Sequence, residues 1–315
     1  MLNKLLNIKY PIIQGAMANI ANAKFAAAVS NAGGLGILAT GSMTLEMATL
    51  AVRECKELTN KPFGVNVMLM NPYSKEIMEM LAFEKVKVVT TGAGNPGPYI
   101  KMLKESGALV IPVVPSVGLA RRMERANADA IIVEGTEAGG HVGELTTMAL
   151  LPQVCDAVNI PVIAAGGIAD GRGVAAAYAL GAIGVQIGTV LLASEECPIH
   201  ENYQNLVLKA KDIDTVVTGR SLNTPVRVLK NKMSREYIKM EETQVDRHEM
   251  EKLTLGSLRK AVVDGDLDSG SFMSGQIAGL VKEVKPLSKI FSDMMEEASN
   301  LSNNLNSLIS YDKTN

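Results

Sequence analysis

The sequence predicts an α/β protein whose main domain is a (β/α)8 TIM barrel with a smaller C-terminal cap. Eight short apolar runs recur at intervals of 21 to 32 residues, and each interval holds a helical pattern. Runs that are apolar on both faces indicate parallel strands covered by helices, and eight such units close naturally into a barrel. The predicted strands begin at Pro11, Leu35, Phe63, Val86, Ala108, Asp129, Pro161 and Gly184.

An open, doubly wound sheet is the alternative architecture. It would require the strand order to reverse at some point, and nothing in the even spacing marks such a reversal. The length of 315 residues and the apolar share of 47% suit one large barrel with an appendage.

The repeat ends after Leu192, and this end sets the predicted domain organisation. Residues 1–195 form the barrel, 196–260 a cap or substrate region, and 261–300 a C-terminal segment that returns to the barrel through a loop entering a helix. Residues 301–315 are rich in Asn and Ser and are predicted to be a flexible tail.

Composition excludes several classes of protein. The formal net charge of -2 gives no bias toward nucleic acid or membranes. The three cysteines are widely spaced and form no CxxC pair, so neither a disulfide framework nor a metal site is predicted. The N-terminus lacks a signal-peptide pattern and no run is apolar enough to span a membrane, which predicts an unprocessed cytoplasmic protein.

The loop from Glu134 to Glu144 is the strongest candidate for chemistry. It follows a predicted buried strand and precedes a helix expected to begin with a Thr cap at residues 146–147. Four glycines allow close approach to a ligand, while three carboxylates and His141 supply groups that ionise near a strand end. A glycine-rich surface turn is the alternative interpretation.

Two other glycine patterns do not indicate a dinucleotide site. The GxGxxA pattern at Gly34 follows a helix and leads into a strand, which is the wrong order. The GxGxxG pattern at Gly92 contains Pro96 and is not followed by an acidic residue at the ribose position.

The loops after the seventh and eighth strands predict a phosphate site. In barrels these loops often bind phosphate through backbone N–H groups and a helix N-terminus. Alternatively, their glycines only permit close helix–strand packing. The residues expected to contact the phosphate are Gly166, Gly167, Gly188 and Thr189.

Elimination favours flavin mononucleotide (FMN) as the phosphate-bearing cofactor. No lysine lies at the strand ends to form a pyridoxal Schiff base, and no His–carboxylate cluster has metal-ligand spacing. The backbone of Gly15, Ala16 and Met17 and the amide of Asn66 are expected to contact the flavin ring.

The segment from residue 209 to 239 is locally basic. It has eight basic and three acidic residues, a balance of +5 in a chain of net charge -2. This contrast predicts either a negatively charged partner or a solvated helix face.

Several motifs resemble one enzyme family. YPIIQGAMA, NAGGLGILATG, EGTEAGGHVGELTTM, AAGGIADGRG with GVQIGT, and GSFMSGQIAGLV are together similar to the FMN-dependent enoyl-acyl-carrier-protein reductases of the FabK type, in the nitronate monooxygenase superfamily. The resemblance covers roughly residues 1 to 295. The segment from Glu137 to His141 and the C-terminal GQIAGL discriminate best within the superfamily, and Glu137 and Gly139 join the expected cofactor-binding residues.

The resemblance implies that NADH or NADPH reduces the flavin, which then reduces a trans-2-enoyl thioester carried by an acyl carrier protein. His141 is the expected catalytic residue, because an imidazole can share a proton near neutrality. The resemblance also implies a homodimer. A nitronate monooxygenase and a noncatalytic barrel that binds a phosphate ligand are the alternatives.

Overall fold

The computed structural model describes residues 1–309, and side chains as far as Asn304. The strands in chain order are β1 (Ile12–Gln14), β2 (Gly36–Ala39), β3 (Phe63–Met68), β4 (Val88–Gly92), β5 (Leu109–Val114), β6 (Ile131–Glu134), β7 (Gly140–His141), β8 (Val162–Ala165), β9 (Val185–Ile187), β10 (Thr215–Thr218) and β11 (Val226–Leu229). The helices are α1 (Leu2–Leu6), α2 (Ala23–Asn31), α3 (Leu45–Leu58), α4 (Ser74–Phe83), α5 (Gly97–Glu105), α6 (Val117–Arg125), α7 (Thr147–Cys155), α8 (Gly171–Ala179), α9 (Glu201–Lys209), α10 (Lys232–Glu242), α11 (Arg247–Thr254), α12 (Ser257–Arg259) and α13 (Leu287–Ile309).

The predicted (β/α)8 barrel is confirmed. Eight strands pair in parallel in the order β1-β9-β8-β6-β5-β4-β3-β2, and a parallel bridge between Ile13 and Leu35 joins the two ends. At this seam the Gln14 side chain takes the place of a backbone acceptor. Its Oε1 accepts a hydrogen bond from the Ile37 amide at 3.0 Å. A closed barrel excludes the doubly wound alternative.

Two apolar clusters hold the barrel together. The smaller fills the interior with inward side chains such as Ile13, Ile111 and Ile163, and α1 adds Leu2 and Leu6 to it. The larger lies mostly between the strands and the surrounding helices. The interior is therefore packed with side chains, and the free space for a ligand lies at the carboxyl ends of the strands.

The cap contributes a small antiparallel sheet in the order β10-β11-β7. Its third strand is part of the loop that follows β6, so Val226 of the cap pairs with His141 of the barrel. The cap thus fixes the backbone of the candidate catalytic residue.

The C-terminal segment returns to the barrel mouth. The Gly275 amide donates to Thr189 Oγ1 at 2.8 Å, and the Gln276 amide donates to the Glu137 carbonyl at 2.9 Å. The predicted helix after this loop is only a short 3-10 helix over Gln276–Leu280. A Cβ on Gly279 would lie 3.0 Å from the Asp212 amide nitrogen, so this helix packs tightly on the segment after α9.

The long helix α13 packs along α8 and extends further than the sequence suggested. A flexible tail was expected from residue 301, but the helix continues to Ile309. Leu301, Leu305 and Leu308 repeat at helical spacing, and extending an existing helix costs far less than starting one. Residues 310–315 of the predicted tail lie outside the described residues. No helix within residues 1–309 has the length and apolarity to cross a membrane.

Candidate active site

Polar side chains form the uppermost inward-facing layer of the barrel. Strand residues alternate in direction, so Glu134 faces inward as Ile132 does, and Asn66 and Thr90 do so on β3 and β4. Asn66 Nδ2 donates to Thr90 Oγ1 at 2.9 Å. The Asn66 amide therefore has its carbonyl oxygen left for a ligand above this layer.

Glu134 is a carboxyl group without a protein partner. It makes no hydrogen bond or ion pair with any residue of the described chain, and desolvation raises its pKa to about 7. Near neutral pH this carboxyl is therefore present in both the protonated and ionised forms. The loop containing Glu134 was predicted as the site, but Glu134 itself was not selected. The two-residue alternation that places Ile132 and Glu134 on one face was the signal that could have found it.

The four residues predicted to bind phosphate lie together with unpaired amides. Gly166 and Gly167 both adopt left-handed φ angles, of 88° and 75°, which turn the chain back at the end of β8. The amides of Gly166, Gly167, Gly188 and Thr189 have no hydrogen-bond acceptor among the described residues. Because backbone donors are rarely left unpaired, this group of N–H donors fits a phosphate group.

The N-terminus of α8 does not contribute to that phosphate site. The Asp170 side chain accepts from the amides of Arg172 and Gly173, and Glu297 accepts from the Gly171 amide at 2.8 Å. Carboxylates therefore occupy the donors that a helix N-terminus would offer an anion. The unpaired amides that could bind a phosphate lie instead in the glycine turn and in the residues after β9.

The unpaired amides of Gly166, Gly167, Gly188 and Thr189 form a cradle of donors, and the end of β1 borders its other side. The Gly15 amide donates to the Ile187 carbonyl at 2.7 Å, which brings the ends of β1 and β9 together. The amides of Ala16 and Met17 have no acceptor among the described residues. Ala16 and Met17 thus border the cradle with free backbone donors and thioether surface, whereas Gly15 brings the two strand ends together.

Glu137 caps helix α7, which corrects the expected Thr cap. Thr146 occupies the N-cap position, but its side chain caps nothing. Both Glu137 carboxylate oxygens instead lie 2.9 Å from the Thr147 amide, and Oε2 lies 3.0 Å from Thr147 Oγ1. A carboxylate fits a helix N-terminus better than a hydroxyl because it also complements the helix dipole. The aliphatic part of Glu137 faces Gly167, so the residue still borders the cradle.

Glu137→Ala is expected to lower the free energy of unfolding by about 1–2 kcal/mol, because the α7 cap and its charge are lost together. Urea denaturation measures this change. Glu144→Ala is the matched control: it removes an exposed carboxylate of the same loop that bonds to no described residue. Equal losses from both substitutions would show that Glu137 does not cap the helix.

Backbone contacts hold the His141 loop in place. A Cβ on Gly139 would lie 2.7 Å from the carbonyl carbon of Ser274, so the returning C-terminal segment leaves room only for glycine. On the other side of His141, the Val142 amide donates to the Pro225 carbonyl at 3.1 Å. The position of the imidazole therefore depends on barrel, cap and C-terminal segment together.

Desolvation favours the neutral form of the His141 imidazole. The residue is exposed, yet neighbouring protein atoms desolvate the ring enough to lower its pKa below the usual value. A neutral ring has one N–H donor and one acceptor nitrogen, so it can bond to a substrate oxygen and exchange a proton with it.

Arg227 is a second residue that sequence analysis did not select individually. It was counted with the basic residues of segment 209–239, but it is only 6% exposed and lies beneath the site loop. In VRVL the arginine alternates with apolar residues, which predicts an outward-facing side chain, so no local pattern indicated its burial.

The arrangement can bind a phosphate-bearing cofactor with a planar ring and present a titratable group beside it. The unpaired amides of the glycine turn suit a phosphate group. The polar layer that contains Asn66, together with His141, borders the space beyond these amides. Among the described residues, no group of His, Cys, Asp or Glu has the arrangement of a metal site.

Comparison with known proteins gives a consistent result. The sequence matches the family profile described as Nitronate monooxygenase over residues 1–82 and 71–297. FabK from Thermotoga maritima has a similar structure, with a TM-score of 0.95, 50% sequence identity and coverage of 98% of both chains.

Two further relatives have different activities in their names. A probable nitronate monooxygenase of Staphylococcus aureus (strain MRSA252) is 34% identical over 344 residues, which cover 94% of this chain and 96% of the relative. The (3aS,4S,5R,7aS)-5-hydroxy-7a-methyl-1-oxo-octahydro-1H-indene-4-carboxyl-CoA dehydrogenase of Mycobacterium tuberculosis is 33% identical over 337 residues, covering 94% and 95% respectively.

Proposed function

This chain belongs to the nitronate monooxygenase family as a FabK-type member, and on that premise we propose that it reduces trans-2-enoyl thioesters. Family membership implies a flavin-dependent oxidoreductase. The proposed cofactor is FMN, the proposed reductant is NADH, and the proposed substrate is an enoyl group carried by acyl carrier protein in fatty-acid elongation.

The observation that carries the proposal is the 50% identity to Thermotoga maritima FabK over 98% of both chains. The name of the M. tuberculosis relative also describes a thioester, because its substrate is a carboxyl-CoA compound. The unpaired amides at Gly166, Gly167, Gly188 and Thr189 support FMN, since riboflavin lacks the phosphate that such donors bind.

When bound, the flavin supplies an acceptor for hydride from the nicotinamide and a donor of hydride to the β-carbon of the enoyl group. The protein must orient the thioester and stabilise the negative charge that develops on its carbonyl oxygen. It must also supply one proton to the α-carbon, so that the reaction consumes one NADH and one proton.

His141 is the proposed donor to the thioester. In its neutral form, a ring N–H can hydrogen-bond to the carbonyl oxygen as charge develops there. In its protonated form, the imidazolium can transfer its proton to the α-carbon and recover that proton from solvent, to which the residue is exposed. The backbone pairing of His141 with Val226 fixes the position from which the ring acts.

The test uses the purified yellow protein under anaerobic conditions. NADH is expected to bleach the flavin without any nitroalkane, and crotonyl-CoA is then expected to restore the colour with formation of butyryl-CoA. Bleaching without recolouring by any enoyl thioester would reject the proposed substrate class. A protein that NADH does not bleach would reject the proposed reductant.

Nitronate monooxygenase activity is the second candidate, favoured by the family profile and by the S. aureus relative. In that reaction His141 would remove a proton from the carbon next to a nitro group. Oxygen consumption with a nitroalkane, in the absence of NADH, identifies this activity. The two assays on one preparation therefore separate the candidates from each other and from a noncatalytic barrel.

An acidic acyl carrier protein is the proposed macromolecular partner, and helix α10 carries much of the basic surface that would attract it. Lys232, Arg235 and Lys239 are exposed on this helix and form no ion pair with any described residue. Lys230 is less free, because its Nζ donates to the Ile213 carbonyl at 2.6 Å. Unpaired surface cations act mainly on the rate of encounter with a charged partner.

Reversing Lys232, Arg235 and Lys239 to Glu is expected to lower kcat/KM for enoyl-carrier-protein at low salt, with crotonyl-CoA less affected. Each exposed charge contributes only about 0–1 kcal/mol, and the loss should shrink as salt screens the charges. The control reverses Lys61, Lys85 and Lys87, which lie before β3 and β4 on the opposite face of the barrel. Equal losses in both triple variants would remove α10 as the docking surface.

A further inference from the structure

Arg227 is a buried cation that forms no ion pair with any described residue. Its Nε donates to the Thr136 carbonyl at 3.0 Å and its Nη1 to Thr215 Oγ1 at 3.2 Å. No carboxylate of the described residues lies within 4.0 Å of the guanidinium. Burial lowers the pKa of Arg227, the neighbouring Arg220 lowers it further, and only Glu137 acts in the opposite direction. A buried charge without a paired anion is costly, so an anion held beside Arg227 would be favoured at this position.

The Arg227 guanidinium is bonded to the segment that backs the phosphate cradle. Thr136, whose carbonyl it binds, lies between Gly135 and Glu137. A Cβ on Gly166 would lie 2.9 Å from the Gly135 carbonyl oxygen, and a Cβ on Gly167 would lie 3.5 Å from Glu137 Cβ. The guanidinium thus lies on the segment that contains Gly135 and Glu137, the two residues against which the glycine turn packs.

The cradle itself has little positive charge to offer a phosphate. Arg172, at the start of α8, already forms ion pairs with Asp170 and Glu297. The donors of the glycine turn are neutral amides, whereas a phosphate monoester carries a charge of about -1.5 to -2 at pH 7. A cation held nearby in a partly desolvated site would offset that charge with less screening than a surface lysine.

We propose that Arg227 is the counter-cation for the phosphate of the flavin cofactor, and that it favours FMN over riboflavin. Its third nitrogen, Nη2, has no acceptor among the described residues and keeps some access to solvent, so it remains free to face an anion. The proposal rests on FMN as the cofactor, as proposed above, and is independent of the enoyl substrate.

The test compares two flavins that differ only in the phosphate. FMN and riboflavin are titrated into flavin-free protein, and quenching of flavin fluorescence gives both dissociation constants. Arg227→Met is expected to raise the constant for FMN roughly tenfold or more, because the Coulomb attraction is lost, and to leave that for riboflavin nearly unchanged. Arg227→Lys, which keeps the charge, is expected to retain much of the preference for FMN.

Arg220→Gln is the matched control, because Arg220 is an exposed arginine of the same hairpin with no ion pair among the described residues. It is expected to leave both constants close to wild type. Similar weakening of FMN and riboflavin in Arg227→Met would show that Arg227 only holds the loop, and no change in either would exclude it from the site. If Arg227→Met does not fold, Arg227→Gln gives the same comparison with a side chain that can still donate to the Thr136 carbonyl. Failure of the enoyl assay with normal flavin discrimination would reject the substrate and leave this inference intact.

Discussion

Replacing His141 with asparagine is expected to slow the reduction of crotonyl-CoA by the reduced enzyme by roughly 10²- to 10⁴-fold, the range for losing a general acid. Bleaching by NADH, which needs no proton from His141, should change much less. Stopped-flow measurement of the two half-reactions separates these effects. Asparagine keeps a hydrogen-bond donor of similar size, so the loss reports on the proton rather than on packing.

His248→Asn is the control for this substitution. His248 is an exposed histidine on α11 whose side chain bonds to no described residue, and its replacement should leave both half-reactions unchanged. If His141→Asn reduced crotonyl-CoA at the wild-type rate, His141 would have no part in the chemistry.

The pH dependence gives a second signature of His141. Desolvation lowers its pKa in the folded protein, so transfer of a proton from the imidazolium should slow as pH rises through a value below about 6.5, and His141→Asn should lack this limb. The free energy of unfolding should change with pH in the opposite direction to this rate. Between the folded and unfolded pKa values the unfolded chain binds more protons at His141, so the free energy of unfolding rises with pH in that window.

Gly167→Val is expected to weaken FMN binding by about 100-fold or more. Gly167 adopts a φ of 75°, which a β-branched residue strongly resists, so the backbone should rotate and turn its amide donors away from the phosphate. Losing even one or two hydrogen bonds to a charged group removes about 3 kcal/mol of binding free energy. The flavin content of the purified variant and its FMN dissociation constant measure the effect.

Gly107→Val is the matched control for backbone strain. Gly107 has a φ of 88°, lies between α5 and β5 on the face opposite the mouth, and has open space where a Cβ would be placed. Both variants should lose about 1–3 kcal/mol of stability from the strained backbone, but Gly107→Val should remain yellow. A Gly167→Val protein that also kept its flavin would place the phosphate elsewhere.

The barrel, and the strand ends at which the glycine turn lies, could be predicted from the sequence. Eight apolar runs at regular spacing can bury both faces only as parallel strands covered by helices, and the carboxyl ends of such strands meet at one mouth. The glycines at 166 and 167 were identifiable because a turn with left-handed φ depends on residue type within a few positions. His141 could be selected from the sequence because it is the histidine in a strand-end loop.

Which groups pair across the chain depends on how the elements pack in three dimensions. Glu137 caps α7 from ten residues away, Arg227 binds a carbonyl 91 residues earlier, and His141 becomes part of a sheet with the cap. Local pattern cannot predict such contacts, because the partners come together only after the barrel and cap have folded. Arg227 illustrates the consequence: its charge is evident in the sequence, but whether that charge faces solvent or lies beneath the site depends on how β11 packs on the loop after β6.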